Sequence, residues 1–223
     1  MKQKLARLAL TCRYQILQRH RHRRLVVEHV DGLPLVILPN VFNPKLLRSG
    51  EFLVHQLSRP DLLRPTSRVL DLGTGSGAGA VAAARAGCAV VAVDINPEAI
   101  RCARINALLN QVESRVEARQ GDLFGPVAGE RFDVVLFNPP YYRGLPRDHF
   151  DYAWRSPDVI ERFASNLGAH LSTDGYALLV LSTDGEQKSF LQALASRGFL
   201  YRGVAKRDFL NEQMRVYRVS RAC

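Results

Sequence analysis

Short apolar runs of strand length alternate with helix-forming stretches through most of the chain. Three such runs lie at residues 68–72, 89–93 and 134–137, and a fourth strand-like segment covers residues 116–121. Each is followed by a glycine or a polar residue, which predicts buried strands rather than helices. Because this βα alternation continues to Thr183, the pattern predicts an α/β fold around a mostly parallel sheet.

The flanking regions follow a different pattern. Strand-like segments at residues 24–30 and 33–38 enclose Asp31-Gly32, a strong signal for a β-hairpin turn. A helix is predicted over residues 46–58. The C-terminal segments 200–206 and 214–220 are predicted to pair as an antiparallel hairpin at the edge of the sheet.

A glycine-rich turn follows the first strand of the alternating region. It comprises Asp71-Leu72-Gly73-Thr74-Gly75-Ser76-Gly77 and leads into an alanine-rich helix. Glycines allow a tight turn and a close approach of a ligand to the main chain, which indicates a nucleotide-like cofactor. Asp94 ends the next strand, where a carboxylate accepts hydrogen bonds from ribose hydroxyls. Gly75-x-Gly77-x-x-Ala80 also fits the dinucleotide fingerprint, so NAD is the competing cofactor.

Two carboxylates favour a methyl donor over NAD. Asp71 ends the first strand, where it is positioned to bind a cationic amino-acid group through charge-assisted hydrogen bonds. Asp122 follows the strand-like segment 116–121 and is a candidate acceptor for an adenine amino group. The competing interpretation of Asp122 is a turn residue.

The run Asn138-Pro139-Pro140-Tyr141 indicates chemistry on a planar NH2 group. The Asn138 side-chain oxygen and the Pro139 carbonyl can each accept one N–H, and proline fixes the backbone between them. Two fixed acceptors favour localisation of the nitrogen lone pair toward a methyl donor. Tyr141 offers a flat face for stacking. The alternative is a rigid turn that merely ends a strand.

Taken in order, these motifs resemble class I S-adenosylmethionine-dependent methyltransferases. The Asn-Pro-Pro-Tyr run and the C-terminal segment 204–219 are similar to HemK/PrmC-type enzymes, which methylate glutamine side-chain amides, and to the broader small-domain methyltransferase group. The resemblance covers roughly residues 36–219. It implies a Rossmann-like α/β fold with a mostly parallel seven-stranded sheet and an antiparallel C-terminal strand, preceded by an N-terminal helix and a β-hairpin.

The resemblance also implies a set of site residues and a cofactor, S-adenosyl-L-methionine. The catalytic motif is Asn138, Pro139, Pro140 and Tyr141. The implied cofactor-binding residues are Asp71, Gly73, Thr74, Gly75, Gly77, Asp94, Ile95, Asp122, Leu123 and Asn138. The implied substrate-binding residues are Phe42, Tyr141 and Tyr142.

Three functions remain open from the sequence. The leading one is methylation of a glutamine amide in a protein such as a translation factor or ribosomal protein. The second is methylation of an exocyclic amine of a nucleic-acid base, and a small-molecule substrate is compatible with either chemistry. The third is a cofactor-binding regulator without turnover, which has no need of the paired acceptors in the Asn-Pro-Pro-Tyr run.

Basic residues are concentrated at the N-terminus. The formal net charge is +10, and nearly all of it comes from eight Lys or Arg residues among the first 24, which include no Asp or Glu. A basic amphipathic helix is predicted over residues 2–20 and suits nucleic-acid phosphates or an acidic partner. A packing helix with a solvated face is the alternative, and a mitochondrial presequence is a third. The predicted division is an extension over residues 1–40 and a catalytic domain over residues 41–223.

Cysteine spacing and hydropathy narrow the class of protein further. No apolar run approaches the length of a membrane-spanning helix. The four cysteines are scattered without metal-ligand spacing, so neither a metal site nor a disulfide framework is expected. A cytoplasmic location is the resulting expectation.

Overall fold

The computed structural model describes residues 24–46, 48–148, 150–209 and 212–222. The predicted basic helix over residues 2–20 lies outside these ranges. The described chain begins with the predicted hairpin and continues as alternating strands and helices. The helices are α1 (Ser49–Leu57), α2 (Ala78–Arg85), α3 (Pro97–Leu109), α4 (Val159–His170) and α5 (Gln187–Ala195). The strands are β1 (Val26–Val30), β2 (Leu33–Ile37), β3 (Arg68–Leu72), β4 (Ala89–Asp94), β5 (Val116–Gln120), β6 (Phe132–Phe137), β7 (Tyr142–Arg143), β8 (Arg155–Ser156), β9 (Leu171–Ser182), β10 (Phe199–Asp208) and β11 (Gln213–Arg221).

Seven strands form the central sheet in the order β10-β11-β9-β6-β3-β4-β5. The neighbours from β9 to β5 pair in parallel. Only β11 runs against the others, because it pairs antiparallel with both β9 and β10. The predicted mostly parallel sheet with an antiparallel C-terminal strand is therefore confirmed, as is the hairpin at its edge.

Helices cover both faces of this sheet. Successive residues of β6 alternate between two hydrophobic clusters, with Val134 in one and Val135 in the other. The first cluster contains the apolar faces of α1, α2 and α3, and the second contains those of α4 and α5. Parallel strands buried on both faces produce continuous apolar runs, which is the pattern that the sequence shows.

The β1–β2 hairpin packs onto the same core as α3. Asn106 of α3 is fully buried, and its Oδ1 accepts the Val36 amide at 2.7 Å while its Nδ2 donates to the Val36 carbonyl at 2.7 Å. The same Nδ2 donates to the Ser76 carbonyl at 2.8 Å. One asparagine thus joins the hairpin to the glycine-rich turn. A domain boundary at residue 40 stays a prediction.

Helix α1 begins three residues later than the predicted span of residues 46–58. The Asn43 Oδ1 accepts the amides of Lys45 and Leu46 at 2.9 and 3.2 Å, which holds these residues in a turn. Arg48 then has φ 52°, a left-handed conformation that cannot belong to the helix. The short parallel pair β7–β8, which follows the Asn-Pro-Pro-Tyr run, was not predicted because each strand has only two residues.

Candidate active site

A cleft of about 1710 Å³ opens at the carboxyl ends of the parallel strands. Strand order reverses between β3 and β6, the point at which open α/β sheets bind ligands. The cleft is lined by most of the predicted site residues: Phe42, Gly73, Gly75, Asp94, Ile95, Asp122, Leu123, Asn138, Pro139, Pro140, Tyr141 and Tyr142. Asp71, Thr74 and Gly77 do not line it.

The glycine-rich turn adopts a backbone that only glycine accommodates well. Gly75 has φ +55°, and a Cβ there would lie 3.3 Å from the Cβ of Phe42. Gly77 has φ +82° as the residue before α2, and a Cβ there would lie 2.7 Å from the Cα of Ala103. The turn therefore lets α2 pack against α3 and leaves main-chain atoms of Gly73 and Gly75 at the wall of the cleft.

Asp94 is held in place at the end of β4. Its Oδ2 accepts the Gly75 amide at 2.8 Å and its Oδ1 accepts the Asn96 amide at 2.9 Å. Burial raises the pKa of this carboxyl above its usual value, and the two backbone donors offset part of that effect. A carboxylate has about four acceptor positions, so Asp94 retains capacity for further donors at the cleft wall.

Asp71 lies behind the turn. Its Oδ2 accepts the Thr74 hydroxyl at 2.6 Å and the Ala80 amide at 2.9 Å. Burial raises the pKa of this carboxyl to about 6, against the lowering effect of these two donors. The hydrogen bonds of Asp71 thus fix the shape of the turn and the start of α2. A direct contact with the amino group of a cofactor stays a prediction.

Asn138 follows β6 at the centre of the cleft. Its Nδ2 donates to the Ser49 hydroxyl of α1 at 3.1 Å. Its Oδ1 is sheltered from solvent and accepts no hydrogen bond from any residue that the structure describes. A buried acceptor without a donor costs about 1–3 kcal/mol, which marks this oxygen as a candidate acceptor for a ligand N–H.

The Tyr141 side chain turns inward from the motif. A Cβ on Gly185 would lie 3.0 Å from the Tyr141 Cβ, so the tyrosine packs closely on the turn that follows β9. Its hydroxyl is buried and has no hydrogen-bond partner among the described residues. Burial raises the pKa of this phenol well above its usual value, and the nearby Ser49 hydroxyl counters part of the shift without reaching hydrogen-bonding geometry.

Aromatic side chains border the cleft beside the motif. The Phe42 and Trp154 rings lie 6.1 Å apart, and the Trp154 and Phe150 rings 6.3 Å apart. Tyr142 of β7 is 42% exposed, and its hydroxyl donates to Asp184 at 3.2 Å. Phe42 and Tyr142, both predicted substrate contacts, therefore belong to the walls of one opening.

Asp122 lies at the rim of the cleft. Its Oδ2 accepts a 2.7 Å hydrogen bond from the Arg162 guanidinium, and the carboxylate is about half exposed. One oxygen is thus engaged in an ion pair that the sequence did not reveal. The assignment of Asp122 to an adenine amino group stays a prediction.

Sequence reasoning missed two residues that shape the site. Ser49 contacts Asn138 across 89 residues of chain, and Trp154 reaches Phe42 from the segment after the motif. Neither carries a local signal, because a serine at the start of a helix and a single tryptophan have many structural roles.

Among the described residues between 24 and 222, no group of three or more His, Cys, Asp and Glu side chains is arranged to hold a metal ion. No helix in the same part of the chain is long and apolar enough to cross a membrane.

The fold and this cleft are those of a methyltransferase. The methyltransferase small domain family matches residues 32–199, about three quarters of the chain. The chain therefore belongs to the methyltransferase small-domain family, which confirms the class that the motifs predicted.

Sequence relatives lie among protein methyltransferases. A putative protein N5-glutamine methyltransferase of Methanocaldococcus jannaschii is 30% identical over 187 residues, which cover 78% of this chain and 88% of the relative. The ribosomal protein uL3 glutamine methyltransferase of Bradyrhizobium diazoefficiens is 36% identical over 66% of this chain. The chain spans only 52% of that second relative's length.

Solved structures agree on the fold. The ribosomal protein L11 methylase of Lactobacillus delbrueckii subsp. bulgaricus superposes with a TM-score of 0.63 at 22% identity, over 84% of each chain. A complex from E. cuniculi, responsible for methylation of the eRF1 translation termination factor, contains a chain that superposes with a TM-score of 0.62 at 26% identity. That match covers 82% of this chain and 99% of the other.

Proposed function

We propose that this protein transfers a methyl group from S-adenosyl-L-methionine to a planar amide nitrogen, the side chain of a protein glutamine. The observation that carries the proposal is the hydrogen bonding of the Asn138 side chain. Its Nδ2 is held by Ser49, while its Oδ1 is buried at the cleft without a donor. An NH2 group that enters the cleft supplies the missing donor.

The residues at the strand ends fit the cofactor. Asp94 is fixed by the Gly75 and Asn96 amides and keeps acceptor capacity for two ribose hydroxyls. Ile95 and Leu123 line the same part of the cleft and offer apolar surface for an adenine ring. When bound, the cofactor supplies an electrophilic methyl group on a sulfonium. The glycine-rich turn lets its main chain approach closely.

The motif supplies acceptors and positioning. An amide nitrogen is a poor nucleophile because its lone pair is delocalised into the carbonyl. Asn138 Oδ1 accepts one N–H and the Pro139 carbonyl accepts the other, which favours the geometry in which the lone pair localises toward the methyl group. Transfer would exchange the bond between methyl and sulfur for a bond between methyl and nitrogen, and the nitrogen would release one proton to the solvent. Proximity and alignment then provide most of the rate increase, with little demand for a general base. The Tyr141 ring flanks the planar substrate.

The relatives favour glutamine as the target. The M. jannaschii and B. diazoefficiens proteins are named as glutamine methyltransferases, and the E. cuniculi complex acts on a translation termination factor. By analogy, the substrate class proposed for this chain is a translation factor or a ribosomal protein.

Transfer of radiolabelled methyl groups into a cell lysate tests the proposal. We expect protease digestion to release the label and nuclease digestion to leave it in place. Complete enzymatic digestion of the labelled protein should then yield N5-methylglutamine, and acid hydrolysis should release the label as methylamine. Label only in nucleic acid contradicts the glutamine substrate but keeps the chemistry, whereas no transfer to any fraction contradicts the proposed function.

A nucleic-acid base is the second candidate substrate, favoured by the basic residues near the N-terminus. Deletion of residues 1–20 should leave cofactor binding intact and weaken binding of a large substrate. If that substrate is RNA, binding by the full chain should also weaken steeply as salt rises, because Lys and Arg release counterions from phosphates. Salt-independent binding contradicts the RNA alternative.

A further inference from the structure

Ser49 lies where two separate parts of the candidate site meet. It is the first residue of α1, it is 3% exposed, and it lines the cleft. Its hydroxyl accepts a hydrogen bond from the Asn138 Nδ2 at 3.1 Å and lies close to the buried Tyr141 hydroxyl. No local motif marks this residue, and its contact with Asn138 exists only in the folded chain.

The two ends of an asparagine amide have opposite hydrogen-bonding roles. The oxygen accepts and the NH2 donates, so rotation of the amide by half a turn exchanges them. Only one orientation presents an acceptor to a substrate NH2, whereas the other sets two donors against each other. A serine hydroxyl can accept from the NH2 or donate to the oxygen, and in the observed arrangement it accepts, which leaves the oxygen without a partner.

We infer that Ser49 is the positioning residue that holds the Asn138 side-chain amide in place, so that its oxygen is available to the substrate nitrogen. This inference rests on the proposed function. By accepting from Nδ2, the Ser49 hydroxyl leaves Oδ1 as the part of the side chain without a partner. Ser49 itself does not touch the reacting atoms. It acts through Asn138, and its effect should fall on the rate of transfer rather than on cofactor binding.

Ser49 is held firmly enough for this task. The following residue, Gly50, packs so tightly that a Cβ there would lie 2.6 Å from the Cβ of Pro44. Phe52, Leu53 and Val54 of the same helix are buried in the core. The helix start therefore has little freedom to move, and the serine hydroxyl is a fixed reference for the amide.

The variants Ser49→Ala and Ser49→Thr test the inference, with Ser58→Ala as the matched control. Ser58 lies just after the same helix, and its exposed hydroxyl bonds only the His55 carbonyl among the described residues. Ser49→Ala should lower the maximal single-turnover rate about 10- to 100-fold, with KM and S-adenosylhomocysteine affinity nearly unchanged. Ser49→Thr, which keeps the hydroxyl, should recover most of the rate, and Ser58→Ala should match the wild type.

A second background separates positioning of Asn138 from simple packing of Ser49. Asn138→Ala leaves no side-chain amide for Ser49 to hold. Adding Ser49→Ala to Asn138→Ala should therefore change the residual rate far less than Ser49→Ala changes the wild type. Equal rate losses in the two backgrounds, or a Ser49→Ala rate close to that of the wild type, would overturn the inference.

Hydrogen exchange of the Asn138 side-chain amide tests its hydrogen bond to Ser49 without any transfer assay. In protein labelled with ¹⁵N-asparagine, the Asn138 signal is identified by its loss in Asn138→Ala. Its protons should exchange slowly in the wild type and faster in Ser49→Ala. Exchange in the wild type at the rate of an exposed amide contradicts the inference. A wild type that protects this amide but transfers no methyl group contradicts the proposed function instead.

Discussion

The Asp94 carboxylate accepts the Gly75 amide at 2.8 Å, which ties the end of β4 to the glycine-rich turn that follows β3. The two residues are 19 positions apart in sequence and line the same cleft. This bond links the Asp94 carboxylate to the main chain of the turn. The proposed ribose acceptor and the geometry of the glycine-rich turn are therefore coupled through a single side chain.

Asp94→Ala should weaken S-adenosylhomocysteine binding about 10- to 100-fold, because charge-assisted hydrogen bonds to the ribose are lost. Asp94→Asn keeps one acceptor and should lose less. Calorimetry with S-adenosylhomocysteine and with NAD measures both variants and the cofactor preference. Unchanged affinity in Asp94→Ala would show that the ribose does not bind Asp94. Binding of NAD without binding of S-adenosylhomocysteine would exclude the methyl donor.

Asn138→Ala should reduce single-turnover methyl transfer by about 100-fold or more, because the acceptor that matters most in the transition state is removed. Affinity for S-adenosylhomocysteine should stay within a few-fold of the wild type. Asn166→Ala is the control, since the exposed side-chain amide of that α4 residue bonds only the Arg162 carbonyl among the described residues. Near-wild-type turnover in Asn138→Ala would refute the role given to the motif.

Tyr141→Phe should retain more transfer activity than Tyr141→Ala. The phenylalanine keeps the ring that packs on Gly185 and that the proposed function assigns to the substrate, whereas alanine removes it. The lost hydroxyl is buried without a partner, so Tyr141→Phe should not lower the free energy of unfolding. Urea denaturation and single-turnover kinetics measure the two effects, and equal activity losses in both variants would assign the essential function to the hydroxyl.

Asp71→Asn should change how stability depends on pH. Burial raises the Asp71 pKa in the folded protein to about 6, against an ordinary value of 3.8. Between these values the folded state keeps a proton that the unfolded chain has released, so this group makes stability fall as pH rises. The loss amounts to about 3 kcal/mol by pH 7. The variant should therefore gain stability relative to the wild type from pH 4 to pH 7.

Urea denaturation of Asp71→Asn and wild type across this pH range measures the difference. The asparagine oxygen can still accept from Thr74 and Ala80, so the turn should persist. Asp174→Asn, at an exposed position of β9, controls for the loss of one carboxylate. A stability difference that does not vary with pH would contradict the raised pKa.

Gly77→Ala should destabilise the fold by about 2–5 kcal/mol, from a left-handed backbone and from overpacking. The added Cβ would lie 2.7 Å from the Cα of Ala103 in α3. Gly198→Ala is a matched control, since its φ is +77° and a Cβ there meets no atom within 4 Å. It should lose only about 1–2 kcal/mol. Equal losses of unfolding free energy in the two variants, measured by urea denaturation, would show that the close packing of α2 on α3 at Gly77 adds no cost.

The strands that carry the site could be predicted from the sequence because their signals are local. Apolar runs of strand length set β3, β4 and β6, and the residue after each run falls at one edge of a parallel sheet. Glycines that require a left-handed backbone marked the turn. The Asn-Pro-Pro-Tyr run marked the position of the candidate chemistry, and the methyltransferase class followed from these motifs.

Only the tertiary structure decided which of those residues face the cleft and which partners they contact. Asp71 and Asp94 are both acidic residues near strand ends, yet Asp71 is enclosed by Thr74 and Ala80 while Asp94 lines the cleft. The partner of Asn138 is Ser49, a residue 89 positions away. Local sequence fixes backbone preference and apolar pattern, but the direction and partners of a polar side chain depend on which distant elements pack beside it.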